Sequence, residues 1–174
     1  MKSFPSVIPV FPLSGVIYFP KTNLPLNIFE QRYVDLVNDT YKNDKLMGMV
    51  QSQRTGNQVY EIGCLGKISD LQKSEDGRIL INLTGITRFK ILEEVENKKL
   101  YREFKVDYKT FEIDLKEPSG DLNTDDLMSK AKTFFRKNGL LLNWKEFEKL
   151  DKAQKINTLS MISPVTNEEK QKLL

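Results

Sequence analysis

Residues 10–33 read VFPLSGVIYFPKTNLPLNIFEQRY, and how this stretch is read decides the fold. It is dense in proline and large apolar side chains. Five of the seven prolines lie within the first 25 residues. Three readings compete: a docking strip, a secretory leader, or core. Pro5, Pro9 and Pro12 would break the helical segment of a leader, and no small-residue cleavage site follows. The start therefore reads as mature cytoplasmic protein. VIPVFPL (7–13) reads as an extended strand. Pro9 and Pro12 donate nothing to a ladder, so the strand lies at an edge or is interrupted. Ser14-Gly15 turns the chain, VIYFP is a second extended piece and NLPL a third. The period then changes. Asn27 and Glu30 have the spacing of a capping box, and Phe29, Tyr33, Leu36, Val37 and Tyr41 share one helical face. A helix over 28–42 is expected, with Arg32 and Asp35 placed to pair on it.

From about 46 to 108 the pattern is strand-like. LMGMVQS is one apolar run and EIGCLGKISDL another, where Gly63 and Gly66 mark a bulge or close backbone approach. SEDGR (74–78) reads as a turn, because Asp-Gly supplies positive φ at low cost. Beyond it Ile79, Ile81, Leu83, Thr87, Phe89 and Ile91 share one parity. Arg78, Asn82, Thr84, Arg88 and Lys90 carry the other. This is one long bent strand, or two kinked at Gly85. YREFKVDY repeats the alternation. EIDLKEPSGDLN (112–123) reads as a linker. Helices follow, opened by Thr124, Asn143–Glu146, Asp151–Gln154 and Thr166–Glu169; Gly139 ends the first and Pro164 breaks the third. The expected class is α+β: about six antiparallel strands with one early helix, favouring a barrel, then a small helical bundle. The expected division is 1–117 and 118–174.

Composition narrows the chemistry. With 39% hydrophobic and 29% charged residues the chain is globular rather than disordered. No apolar run is long enough to span a membrane. The net charge is +3 with both signs interspersed, so no nucleic-acid patch stands out. There is no histidine, which removes Ser-His-Asp and Cys-His catalysis and histidine-held zinc. Cys64, the one cysteine, sits in an apolar strand and reads as a small buried hydrophobe. Gly66-Lys67 is followed by Ile68 and has Glu61 in the first glycine's place, so it is no P-loop. Asp125-Asp126 and Glu93-Glu94 read as solvated acids. Arg88-Phe89-Lys90 looks like an RNA-binding strand, but Phe89 shares the buried parity and reads as core. No catalytic, metal-binding or cofactor-binding residue emerges, and a binding module is the simplest reading.

IPVFPL, VIYFP and LPLNIFEQRY together resemble the opening signature of the Lon protease amino-terminal domain family. LMGMVQ, EIGCLGKI and DGRILINLTGITRFKI are similar to its later strands in order and spacing, and the helical tail more weakly. The resemblance implies a PUA-like β-barrel followed by a helical bundle, with the family's role of recognising unfolded or tagged polypeptide for proteolysis. It implies a stand-alone, non-enzymatic member without ATPase or peptidase domains and without cofactor. Lys21 departs from the pattern, which usually has glycine after Phe-Pro. The expected partners are polypeptide substrates or a protease or chaperone. Two other readings are an RNA-binding barrel, suggested by fold analogy alone and disfavoured by the mixed charge, and an adaptor that docks on a protease without holding substrate. The first place to look for a peptide-binding surface is the turn around Tyr18, Phe19, Pro20 and Leu24, where aromatics beside proline are hard to bury. The competing reading packs them under the barrel or against the helical tail.

Overall fold

The computed structural model describes residues 4–53, 57–116 and 123–174. The fold is mixed α+β. Six strands, β1 (Val7–Leu13), β2 (Asn23–Ile28), β3 (Leu46–Gln51), β4 (Ile62–Lys73), β5 (Ile79–Val95) and β6 (Arg102–Asp107), form one sheet. Helix α1 (Gln31–Lys42) lies between β2 and β3. A 3-10 helix, Lys109–Leu115, leads from β6 toward α2 (Asp125–Lys137), α3 (Trp144–Phe147), α4 (Lys152–Ile162) and α5 (Asn167–Leu173). The expected division at 117/118 lies outside the described residues. Among the described residues, no helix is long and apolar enough to cross a membrane.

The sheet order is β2-β5-β4-β3-β1-β6, and β5 pairs with β6 as well. Not every pair is antiparallel as expected: β1 and β3 run parallel, Val10 opposite Gly48 through Leu13 opposite Gln51. A parallel pair needs a crossover of a dozen or more residues, and the segment 14–45 that carries β2 and α1 supplies it. Nor is β1 an edge. Its pairing is divided instead: Val7–Val10 face β6 and Val10–Leu13 face β3. Val106 N donates to Ser6 O, and Ser52 N to Leu13 O, so even positions address β6 and odd positions β3. Pro9 addresses β3 before that pairing begins. Pro12 addresses β6 after that pairing has ended. Each proline sits where a donor is not required.

Among the described residues, two packed clusters of buried side chains line the sheet. Ile8, Val10, Val50, Leu65, Phe89, Phe104 and Val106 form one, with side chains from β1, β3, β4, β5 and β6. Phe89 is central to it. A Cβ on Gly48 would stand 2.9 Å from its ring, and one on Gly63 2.7 Å from it and 2.5 Å from Met49 O. Those glycines make the room that the ring occupies. The second cluster joins the opposite faces of β3 and β4 (Met47, Met49, Cys64, Ile68) to the first half of β5 and to Tyr33, Leu36 and Val37 of α1. Because β3 is buried on both faces, LMGMVQ is a continuous apolar run without alternation.

β5 is one strand of 17 residues. Ile79, Ile81, Leu83, Thr87 and Phe89 are buried as their parity predicts. The β4–β5 register shifts at Leu65/Gly66. The 74–78 turn is as read: Gly77 has φ 86° and donates to Ser74 O, while Ser74 N donates to Arg78 O. Other expectations need correction. VIYFP does not pair as a strand, although Ile17, Tyr18 and Phe19 are buried. Helix α1 begins at Gln31 rather than 28, because Asn27 is held in β2 opposite Leu80 and cannot cap. Glu30 is the N-cap, and its carboxylate takes Arg32 at 2.7 Å, leaving Asp35 to Gln31. Phe29 therefore lies before the helix and is 67% exposed. Asp151–Gln154 and Thr166–Glu169 form complete capping boxes, whereas Thr124 makes no side-chain capping bond.

Candidate functional site

Beyond Val10, β1 and β6 part company, since Val10–Arg102 is the last pair of their ladder. The separation opens a cleft of about 430 Å³. One wall is Phe11–Ser14. The other is Leu100, Tyr101 and Arg102, and the start of α1 adds Arg32 and Tyr33 to the lining. Phe11 and Tyr33 form the floor in edge-to-face contact, with ring centroids 4.0 Å apart and planes at 83°. Burial pushes the Tyr33 phenol above its ordinary range, so it stays a neutral donor. Leu100 stands 65% exposed at the rim. Tyr101 holds that wall to α1 by donating to Asp39 Oδ2 at 2.9 Å.

The charged groups of the cleft are tied down. Arg102 donates through Nε and Nη2 to Glu94, both at 2.6 Å, and through Nη1 to Asn57 O at 2.8 Å. The pair holds the Glu94 carboxyl below its ordinary range, chiefly through the hydrogen bonds from Arg102. Arg32 pairs with Glu30 and lies 4.6 Å over the Tyr33 ring. An aromatic floor, an apolar rim and fixed arginines suit recognition of a chain by stacking and charge-assisted hydrogen bonds. Among the described residues, no three His, Cys, Asp or Glu side chains are grouped to hold a metal.

The four residues singled out from the sequence lie elsewhere. Tyr18 and Phe19 are 2% and 3% exposed, Pro20 is buried and Leu24 half-buried. Of the two readings of this turn, an exposed apolar surface or packing inside, the structure shows the packed one, and the reason is β5. Lys21 N donates to Gly85 O at 3.0 Å and Gly85 N to Thr22 O at 2.9 Å. A Cβ on Gly85 would stand 2.3 Å from Phe19 O. The turn thus lies directly on bare backbone. Asn157 of α4 covers it from the other side, donating to Pro20 O at 2.8 Å. Lys21, where the resemblance expects glycine, has φ 59°, a left-handed conformation that glycine adopts more readily. Cys64 is fully buried; its thiol donates to Leu65 O, and burial pushes its ionisation up.

The cleft residues Phe11, Tyr33, Leu100 and Arg102 were not distinguished in the sequence. They come from three separate segments. The usable signal was Leu100, one large apolar side chain after Asn97-Lys98-Lys99 in an otherwise polar turn.

Two comparisons of structure agree on the kind of fold that frames this cleft. The Lon N-terminal domain protein from Xanthomonas campestris superposes with TM-score 0.69 at 18% identity, covering 97% of this chain and 89% of its own. The N-terminal domain of Mycobacterium avium complex Lon protease gives 0.65 at 14%, covering 96% and 88%. The Lon protease of Cytophaga hutchinsonii is 30% identical over 103 residues, 56% of this chain and 13% of that protein. That of Syntrophus aciditrophicus is 26% identical over 140 residues, 75% of this chain and 17% of that protein. The chain thus spans a small fraction of these relatives' length. Residues 7–174 match the ATP-dependent protease La (Lon) substrate-binding domain, and the chain belongs to that family.

Proposed function

We propose that the chain is a non-enzymatic polypeptide-recognition module that binds unfolded or exposed apolar protein segments in the cytoplasm, for delivery to proteolysis. The observation that carries this reading is the match to a substrate-binding domain over residues 7–174. The cleft beside β1 supports it, because an aromatic floor bordered by arginines fits an extended chain better than it fits bond-breaking chemistry. On this reading the circuit of strand pairings is a closed, PUA-like barrel, and sheet and helices are two subdomains meeting near residue 117.

Fluorescence anisotropy of fluorescein-labelled casein, titrated with the folded protein, tests it. Saturable binding in the micromolar range is expected, weakened about tenfold in Leu100→Asp, a change of roughly 1.4 kcal/mol. No binding up to about 100 μM by protein with an intact circular-dichroism spectrum would sink the proposal.

A further inference from the structure

A second concavity, of about 560 Å³, lies in the helical part, away from the cleft. Gly139, with φ 64°, ends α2, and Leu140 N turns back to Phe135 O at 2.9 Å. The chain then runs through Leu140, Leu141 and Leu142 before Asn143 caps α3. Leu141 is 98% exposed. Trp144 forms the facing wall. Its indole is fixed edge-on between Phe135 (5.5 Å) and Phe147 (5.6 Å), so it is a rigid contact surface.

Charges of both signs surround this groove, but the acids of α3 and its C-cap are paired, Glu146 with Lys149 and Glu148 with Lys132. From Leu127 to Lys145 the sequence carries Lys130, Lys132, Arg136, Lys137 and Lys145 and no acid, so these 19 residues hold five positive charges in a chain of net +3. Lys130 pairs with Asp126 and Lys132 with Glu148. Arg136, on the groove wall, makes no ion pair among the described residues. In the last turn of α2 it complements the helix dipole. That role explains neither the bare leucine beside it nor the run without acids.

We propose that this groove is a second binding site for polypeptide, taking segments in which a large apolar side chain is flanked by Asp or Glu. The apolar group lies against Leu141 and the Trp144 indole, and a flanking carboxylate meets Arg136. The inference rests on the polypeptide-recognition reading above and adds to it a place and a substrate class.

Trp144 is the only tryptophan, so indole emission reports on this groove. The whole chain is titrated with three tryptophan-free decapeptides: leucines flanked by acids, the same leucines flanked by lysines, and acids with serine for leucine. The expected result is a saturable blue shift with the first, about tenfold tighter than with either other. Arg136→Glu and Leu141→Ser are each expected to weaken it about tenfold; Leu141→Ser leaves the thermal melt unchanged because the side chain is exposed, and Arg136→Glu, which opposes the α2 dipole, lowers it by no more than about 2–4 °C. If Trp144 does not respond while labelled casein still binds, the groove inference fails and the proposed function stands. If neither responds, both fail. Equal shifts with acid- and lysine-flanked leucines overturn the substrate class. A shift with an RNA oligonucleotide alone, or a peptide-independent shift accompanying dimerisation in sedimentation, overturns the polypeptide as occupant.

Discussion

Glu94 and Arg102 meet in a two-pronged pair at the cleft wall, and at the scale of single residues this pair has a pH signature. Arg102 lowers the folded-state pKa of Glu94. Its contribution is therefore complete above the unfolded carboxylate value, about 4.3, and is lost as pH falls through the depressed folded value. The carboxylate side chain is 47% exposed, so solvent screening keeps the pair under about 1 kcal/mol. Glu94→Gln is expected to lower the melting temperature at pH 7 by about 1–3 °C and to converge with the parent as the pH approaches 2. A gap that persisted in acid would assign the effect to packing. The sequence showed Glu94 as a solvated acid at a strand end and gave no hint of its partner. A cross-strand pair eight residues apart depends on a hairpin register that local pattern does not specify.

At the scale of elements, the turn Phe19–Thr22 has a testable strain. Lys21 sits at φ 59°, a conformation that costs a residue with a Cβ roughly 1 kcal/mol. Its backbone donation to Gly85 O survives any side-chain change. Lys21→Gly relieves the strain, offset in part by the greater entropy of the unfolded chain. The net expectation is a gain of about 0.5 kcal/mol, while Lys21→Val loses more than 1 kcal/mol. Calorimetric melts of the three proteins read this directly, and a Gly variant less stable than the parent would refute it. Elements with strong local signals were legible: the parity of β5, the Asp-Gly turn, and the capping boxes at Asp151 and Thr166. Phe29 and the start of α1 were misread because Asn27 satisfies the capping spacing yet is claimed by β2. VIYFP was misread because burial and strand pairing separate there, and apolar pattern reports only burial.

At the scale of the whole molecule, Arg88 joins three distant parts. From β5 it grips Asp114 of the 3-10 helix at 2.7 and 2.9 Å, donates to Leu174 O at 2.9 Å, and lies 4.7 Å over Phe111. The Asp114 side chain is only 9% exposed, so removing its partner strands a charge. Arg88→Met is expected to cost about 2–4 kcal/mol in urea unfolding, most of it recovered by adding Asp114→Leu. Non-recovery would show that Arg88 acts through Leu174 or Phe111 instead. The sequence placed Arg88 on the outward parity but could not name what it met, 26 and 86 residues away. The same limit hid the β1–β3 parallel pair and the cleft, both of which exist only when distant segments assemble.

The divided pairing of β1 also bears on how the chain is made. Ile8 meets its β6 partner Phe104 only after nearly a hundred further residues have been added, about 5–20 s of synthesis. Through that interval an apolar strand waits without its neighbour, the state in which nascent chains pair with one another. Pro5 and Pro9 interrupt the odd-position edge and Pro12 ends the even-position one, so a stray strand finds only the short stretch Ser6–Val10 to pair with. The prolines that cost the finished fold nothing thus guard the unfinished one.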